Sequence, residues 1–115
     1  MNEVRAALQA LFEKHGDEFD RRIQTLEEAV SAVRAGALDD ELRGEANRDA
    51  HKLVGSLGMF GLPRGSELAR ELEQALASPG GPPASEAPRL AELVVALRQE
   101  IEAPSAGPPR PAPQG

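Results

Sequence analysis

Apolar residues recur along this chain at spacings of three and four, the period that places them on one face of an α-helix. Gly- and Pro-containing breaks interrupt the pattern, which therefore predicts five amphipathic helices. No segment shows the strict alternation of apolar and polar residues that is typical of strands. The predicted helices cover residues 2–14, 18–34, 40–60, 63–77 and 86–102.

Turn and capping residues support these bounds. Gly16, Gly36 and Gly61 each follow an apolar stripe, where glycine commonly ends a helix. The expected N-caps of the second, third and fifth predicted helices are Asp17, Asp39 and Ser85, respectively. Long amphipathic helices joined by short links predict an all-α fold, an antiparallel up-and-down four-helix bundle with a short additional N-terminal helix.

Two segments rich in Pro and Gly lie outside the predicted helices. Residues 78–84 join two helices and read as a surface loop. Residues 103–115 have no apolar stripe to bury, so we expect a disordered tail or a linker there. The helical domain is therefore predicted to comprise residues 1–102.

Composition narrows the class of protein. The 115 residues suffice for one hydrophobic core, and the absence of cysteine excludes disulfides, thiol catalysis and thiolate metal sites. A net charge of −6 without a basic stripe disfavours nucleic-acid binding. No apolar run approaches the ~20 residues that span a bilayer, and no secretory signal is visible at the start. We therefore expect a cytoplasmic protein without a membrane partner.

The third predicted helix combines one histidine with two glycines. His51 lies about 100° around the helix from Ala50, a member of the apolar stripe, so it is expected at the edge of the buried face or outside it. Gly55 and Gly58 follow near the same face, and each costs roughly 1 kcal/mol relative to Ala within a helix. Missing side chains there would let another protein reach the imidazole. Close packing of two helices is the alternative reason for these glycines.

An accessible imidazole nitrogen is a nucleophile that a phosphoryl group can reach. In-line transfer to or from an aspartate would need that carboxylate and its metal to approach one ring nitrogen closely. Arg48 and Lys52 are the predicted positive partners of the phosphoryl group. We interpret the acidic Glu71 and Glu73 as part of a solvated face, and His15 as a residue at a helix end.

These residues resemble the histidine phosphotransfer domains of bacterial phosphorelays. The matching positions are Ala50-His51-x-Leu53-x-Gly55-Ser56, Gly61, Leu68-Ala69 and Leu72-Glu73. The resemblance implies a four-helix bundle in which His51 exchanges a phosphoryl group with the aspartate of a response-regulator receiver domain. It also implies that the receiver supplies Mg²⁺ and the catalytic groups. The chain would then be a phosphocarrier, not an enzyme, with no cofactor or metal of its own.

One position departs from the family pattern. Many members carry Lys three residues after the histidine, where this chain has Val54. We expect Val54 to contribute instead to a docking surface for the partner. The other residues predicted to shape that surface are Asn47, Gly55 and Gly58.

One other function remains open at this point, and a second is disfavoured. A non-phosphorylated interaction module would keep the receiver-binding face without using His51 as a phosphoacceptor. A histidine-kinase dimerisation domain would pair two helices next to an ATP-binding domain, and this chain has too many helices for that arrangement. The expected partners are receiver domains, with a histidine kinase as a further candidate, and we expect a monomer.

Overall fold

The part of the chain that the structure describes folds into four α-helices. The computed structural model describes the backbone of residues 2–103 and the side chains of residues 15–103. The helices are α1 (Asn2–Ala35), α2 (Asp40–Met59), α3 (Pro63–Ala77) and α4 (Ala87–Glu102), with a 3₁₀ turn at Ala84–Glu86. The described part of the chain contains no strand, which confirms the all-α prediction.

The helices form an antiparallel bundle. Each helix packs against the next, and α4 returns to pack against α1, so α2 and α4 occupy diagonal corners. Arg43, near the start of α2, donates to the carbonyl of Leu76 at the end of α3, at 3.1 Å. Further along α2, the carbonyl of Val54 accepts from Ser66 near the start of α3, at 2.8 Å. These pairings run in opposite directions, as the predicted up-and-down topology requires.

The core consists mainly of Leu, Val, Ile and Ala side chains from all four helices. The apolar stripe predicted for α2 is buried as expected, and small residues in it let neighbouring helices approach. Its four fully buried members are Ala46, Ala50, Leu53 and Leu57. These contacts fix the side of α2 opposite to the one that carries His51.

The structure corrects the predicted start of the bundle. Residues 2–35 form one continuous helix, so the separate N-terminal helix, the stop at Gly16 and the cap at Asp17 are all wrong. An interior glycine weakens a helix but ends it only where the backbone turns left-handed. The stripe also continues in register through this point, because His15 lies four residues before Phe19 and its ring faces Phe60 at a centroid distance of 6.1 Å.

The other predicted boundaries agree with the structure except before α4. Gly36 and Gly61 adopt left-handed φ values of 68° and 76°, as expected of glycines that follow helices. The side chain of Asp39 accepts from the backbone N–H of Leu42 at 2.8 Å, which confirms the cap of α2. Ser85 is not a cap, because it lies within the 3₁₀ turn and α4 begins two residues later.

The two Pro- and Gly-rich segments differ in what the structure shows of them. Residues 78–84 lie between α3 and α4, and Gly80 and Gly81 have left-handed φ values, as expected of a loop. The predicted tail lies outside the described residues from position 104 onward. α4 ends at Glu102, where the helical domain was predicted to end.

Candidate functional site

His51 lies near the middle of α2 with its side chain 71% exposed. Its neighbours Ala50 and Leu53 are fully buried, so they anchor the helix directly beneath the imidazole. The predicted position outside the buried face is therefore confirmed. A ring held on a packed helix keeps a defined orientation while it remains open to a second molecule.

The imidazole contacts a carboxylate on the neighbouring helix. Its Nδ1 lies 2.6 Å from Oε2 of Glu73 on α3. A carboxylate accepts hydrogen bonds, so the neutral ring places its proton on Nδ1 and leaves the lone pair on Nε2. The interpretation of Glu73 as a solvated acidic residue was wrong, since its side chain is 26% exposed and directed at His51.

Helical periodicity contains the signal for this contact. Glu73 lies four residues after Ala69 and three before Leu76, both buried, so it belongs to the border of the apolar face of α3. Charged residues are rarely buried without a partner, so a polar group on the adjacent helix is expected to face one at such a border. Here the partner is His51.

Two hydrogen bonds fix the spacing of α2 and α3 on either side of His51. Asn47, one turn before the histidine, donates from Nδ2 to the backbone carbonyl of Glu73 at 2.8 Å. One turn after it, the carbonyl of Val54 accepts from the buried hydroxyl of Ser66 at 2.8 Å. Asn47 and Val54 were predicted to face a partner. Both are half-buried between the helices, and their docking role stays a prediction.

The glycines after His51 differ from those that pack helices together. A Cβ atom placed on Gly55 would meet nothing within 4 Å, and one on Gly58 would meet only the Ser66 hydroxyl, at 3.8 Å. By contrast, a Cβ on the buried Gly65 of α3 would lie 3.1 Å from Cδ1 of Leu57. Close packing therefore explains Gly65 and does not explain Gly55, which leaves an open surface beside the imidazole.

The two predicted cations are exposed, and neither is directed at the imidazole. Nη1 of Arg48 lies 3.5 Å from the place where a Cβ of Gly44 would be, so the guanidinium extends back towards the start of α2. Lys52 lies about 100° around the helix from His51, on the side away from Glu73 and α3. Neither side chain forms a hydrogen bond or an ion pair with a residue that the structure describes. Their role as partners of the phosphoryl group stays a prediction.

Metal binding and membrane insertion find no support in the described residues. Within them, no three His, Asp or Glu side chains are grouped closely enough to hold a metal ion. The described helices include none with the length and apolar character needed to cross a bilayer.

Comparison with known proteins confirms the resemblance found in the sequence. Over 73 residues the chain is 36% identical to Protein RcaC of Microchaete diplosiphon, an alignment that covers 64% of this chain and 11% of that protein. The chain thus spans about a tenth of the length of this relative. No solved structure matches the chain. The profile of the Hpt domain matches residues 4–107, nearly the whole sequence, and the chain therefore belongs to the Hpt domain family.

Proposed function

We propose that His51 accepts a phosphoryl group on Nε2 from the aspartyl phosphate of a receiver domain and returns it to such a domain. Membership of the Hpt family assigns the chain a phosphotransfer role in two-component signalling. The observation that carries the finer proposal is the contact of His51 Nδ1 with Glu73, because it leaves Nε2 as the nucleophilic nitrogen on an exposed ring. The His51 side chain thus offers one ring nitrogen, in one tautomer, to a docked partner.

No proton leaves the imidazole during the transfer. The Nε2 lone pair forms the bond to phosphorus while the bond between phosphorus and the aspartate oxygen breaks, and the aspartate leaves as a carboxylate. The proton on Nδ1 stays in place, so the phosphorylated ring carries a positive charge. Glu73 stabilises that charge through its carboxylate at 2.6 Å, and the reverse transfer releases the same neutral tautomer.

The partner supplies the remaining chemistry. Phosphoryl transfer depends mainly on positioning and on cations that neutralise the oxygens of the transferred group. We assign the Mg²⁺ to the receiver, and the contribution of this chain is a held and accessible nucleophile. This division makes the chain a phosphocarrier whose reaction rate depends on the docked complex.

The surface around His51 supports docking of a second protein. Gly55 and Gly58 leave the helix surface low beside the imidazole, and Met59 is 84% exposed at the end of α2. Single exposed apolar side chains are common on soluble proteins, so the access that the two glycines leave beside the imidazole carries the docking proposal. We therefore place the receiver over the second half of α2 and the adjacent face of α3.

Transfer assays with phosphorylated receiver domains and Mg²⁺ test the proposal. We expect label on the wild-type chain that is labile in acid and stable in alkali, and no label on His51→Gln. Glu73→Gln should slow transfer roughly tenfold, since a hydrogen bond to a charged group contributes about 1.5 kcal/mol or more. Glu71→Gln is the matched control, because Glu71 is exposed on the same helix and pairs with Arg89.

The same assay separates the proposal from a phosphate-free interaction module. If the chain were such a module, the wild-type chain and the His51→Gln variant would bind receivers equally tightly, and neither would acquire label. Label that persists on His51→Gln would place the phosphoacceptor elsewhere. Absence of transfer to the wild-type chain across a panel of receivers would refute the proposed function.

A further inference from the structure

We infer that Arg70 of α3 binds the phosphoryl group carried by His51, an inference that rests on the proposed function. A phosphoryl group beside Glu73 adds negative charge next to a carboxylate. A compensating cation therefore has more value here than at an isolated imidazole. The chain has Val54 where many family members have Lys, so a cation that this chain itself supplies would come from another position.

The register of α2 and α3 places Arg70 level with His51. Ser66 is bonded to Val54, and Glu73 is bonded to Asn47, so these two pairs define which turns of the helices face each other. Arg70 lies four residues after Ser66 and three before Glu73. The corresponding point on α2 falls at residues 50–51, within about 1.5 Å of His51 along the bundle axis.

The position around α3 is also suitable. Arg70 lies one turn before Glu73 and about 60° around the helix from it. Ala69 is buried, Glu73 is half-buried and Arg70 is exposed, so Arg70 stands on the solvent side of the carboxylate that holds His51. Its long side chain can extend over the imidazole from the α3 side, next to the open surface at Gly55.

The Arg70 guanidinium is free to take up this role. It forms no hydrogen bond or ion pair with the described residues, so binding a phosphoryl group would not break an existing contact. Arginine presents paired N–H donors that match two phosphoryl oxygens, and its charge persists at all physiological pH values. Arg48 carries the same group, but its side chain extends towards Gly44.

The test uses the full chain phosphorylated by phosphoramidate, a small donor that transfers its phosphoryl group to the imidazole and releases ammonia. The ³¹P resonance of the phosphohistidine is followed against pH in the wild-type chain and three variants. Arg70→Gln should move the titration midpoint of the phosphoryl group to higher pH, because a nearby cation favours the dianion. Arg70→Lys should restore the wild-type midpoint in large part. The matched control Arg64→Gln, which removes an exposed arginine in the first turn of the same helix, should leave it unchanged.

A second measurement checks the consequence for transfer. With one phosphorylated receiver and Mg²⁺, Arg70→Gln should shift the phosphoryl equilibrium about threefold towards the receiver, the size expected for one exposed charge pair. An unchanged ³¹P midpoint in Arg70→Gln, with normal phosphorylation, would overturn the assignment and leave the proposed function intact. A shift of equal size in Arg64→Gln would show that overall charge, and not a bound guanidinium, sets the midpoint, and would also overturn the assignment. Failure of both donors to phosphorylate wild-type His51 would overturn the function itself.

Discussion

Replacement of Gly55 should stabilise the fold and slow phosphoryl transfer to His51. Gly55 lies within α2, and a Cβ atom there would meet nothing within 4 Å. Gly55→Ala therefore gains helix propensity without a clash, and we expect about 1 kcal/mol of added stability. That gain corresponds to a rise in Tm of roughly 4 °C for a domain of this size.

A larger side chain at the same position should block the imidazole. Side chains on a helix lean towards its N-terminus, so the leucine of Gly55→Leu would extend over the preceding turn, which carries His51. In-line transfer needs the reacting atoms about 3–3.5 Å apart, and a misplacement of about 1 Å can cost a hundredfold in rate. We expect Gly55→Leu to slow transfer from a phosphorylated receiver by roughly that factor, and Gly55→Ala to slow it much less.

Gly16→Ala provides the matched control. Gly16 lies within α1, borders the groove between α1 and α4, and has the same open space around its Cβ position. The Gly16→Ala variant should gain a similar free energy of unfolding, measured in urea, and should accept the phosphoryl group at the wild-type rate. A loss of stability in Gly55→Ala, or transfer by Gly55→Leu at the wild-type rate, would contradict an open surface between Gly55 and the imidazole.

Two further predictions concern stability. Gly65→Ala should destabilise the fold by about 1 kcal/mol, measured by urea unfolding, because its Cβ would lie 3.1 Å from fully buried Leu57; a gain like that of Gly16→Ala would contradict this. Arg22 holds the pKa of Glu18 below its ordinary 4.5, through a side-chain hydrogen bond first and its charge second. This stabilisation is complete above that value and is lost as pH falls through the lowered folded-state pKa. Glu18→Gln should thus flatten the decline in stability below about pH 4.5, and identical profiles would refute this assignment.

The sequence predicted the helices well because their stripes and stop signals agree. α3 begins at Pro63 and ends at Ala77 as predicted, and Gly36 and Gly61 take the left-handed backbone that marks a helix end. Gly16 was misread for a physical reason. Glycine permits a left-handed turn without requiring one, and the apolar stripe of α1 passes through it in register.

The sequence pattern singled out His51 but did not predict its contact with Glu73. His51 and its adjacent glycines lie on one helix, so helical geometry alone relates them. The contact with Glu73 joins residues 22 positions apart and depends on how α2 and α3 are set against each other. That setting comes from the hydrogen bonds of Asn47 and Ser66, which no local pattern specifies. The direction of the Arg48 side chain is likewise not specified by any local pattern.

Because α2 and α4 lie at diagonal corners of the bundle, the outer face of α4 is remote from the helix that carries His51. His51 and Glu73 come from α2 and α3, and α4 does not pack against α2. A fluorophore or tether on the outer face of α4, at the 56% exposed Val95 for instance, would sit away from the imidazole. The outer face of α4 is thus the natural attachment point for reporters of phosphoryl exchange, whereas a label on α3 would perturb what it reports.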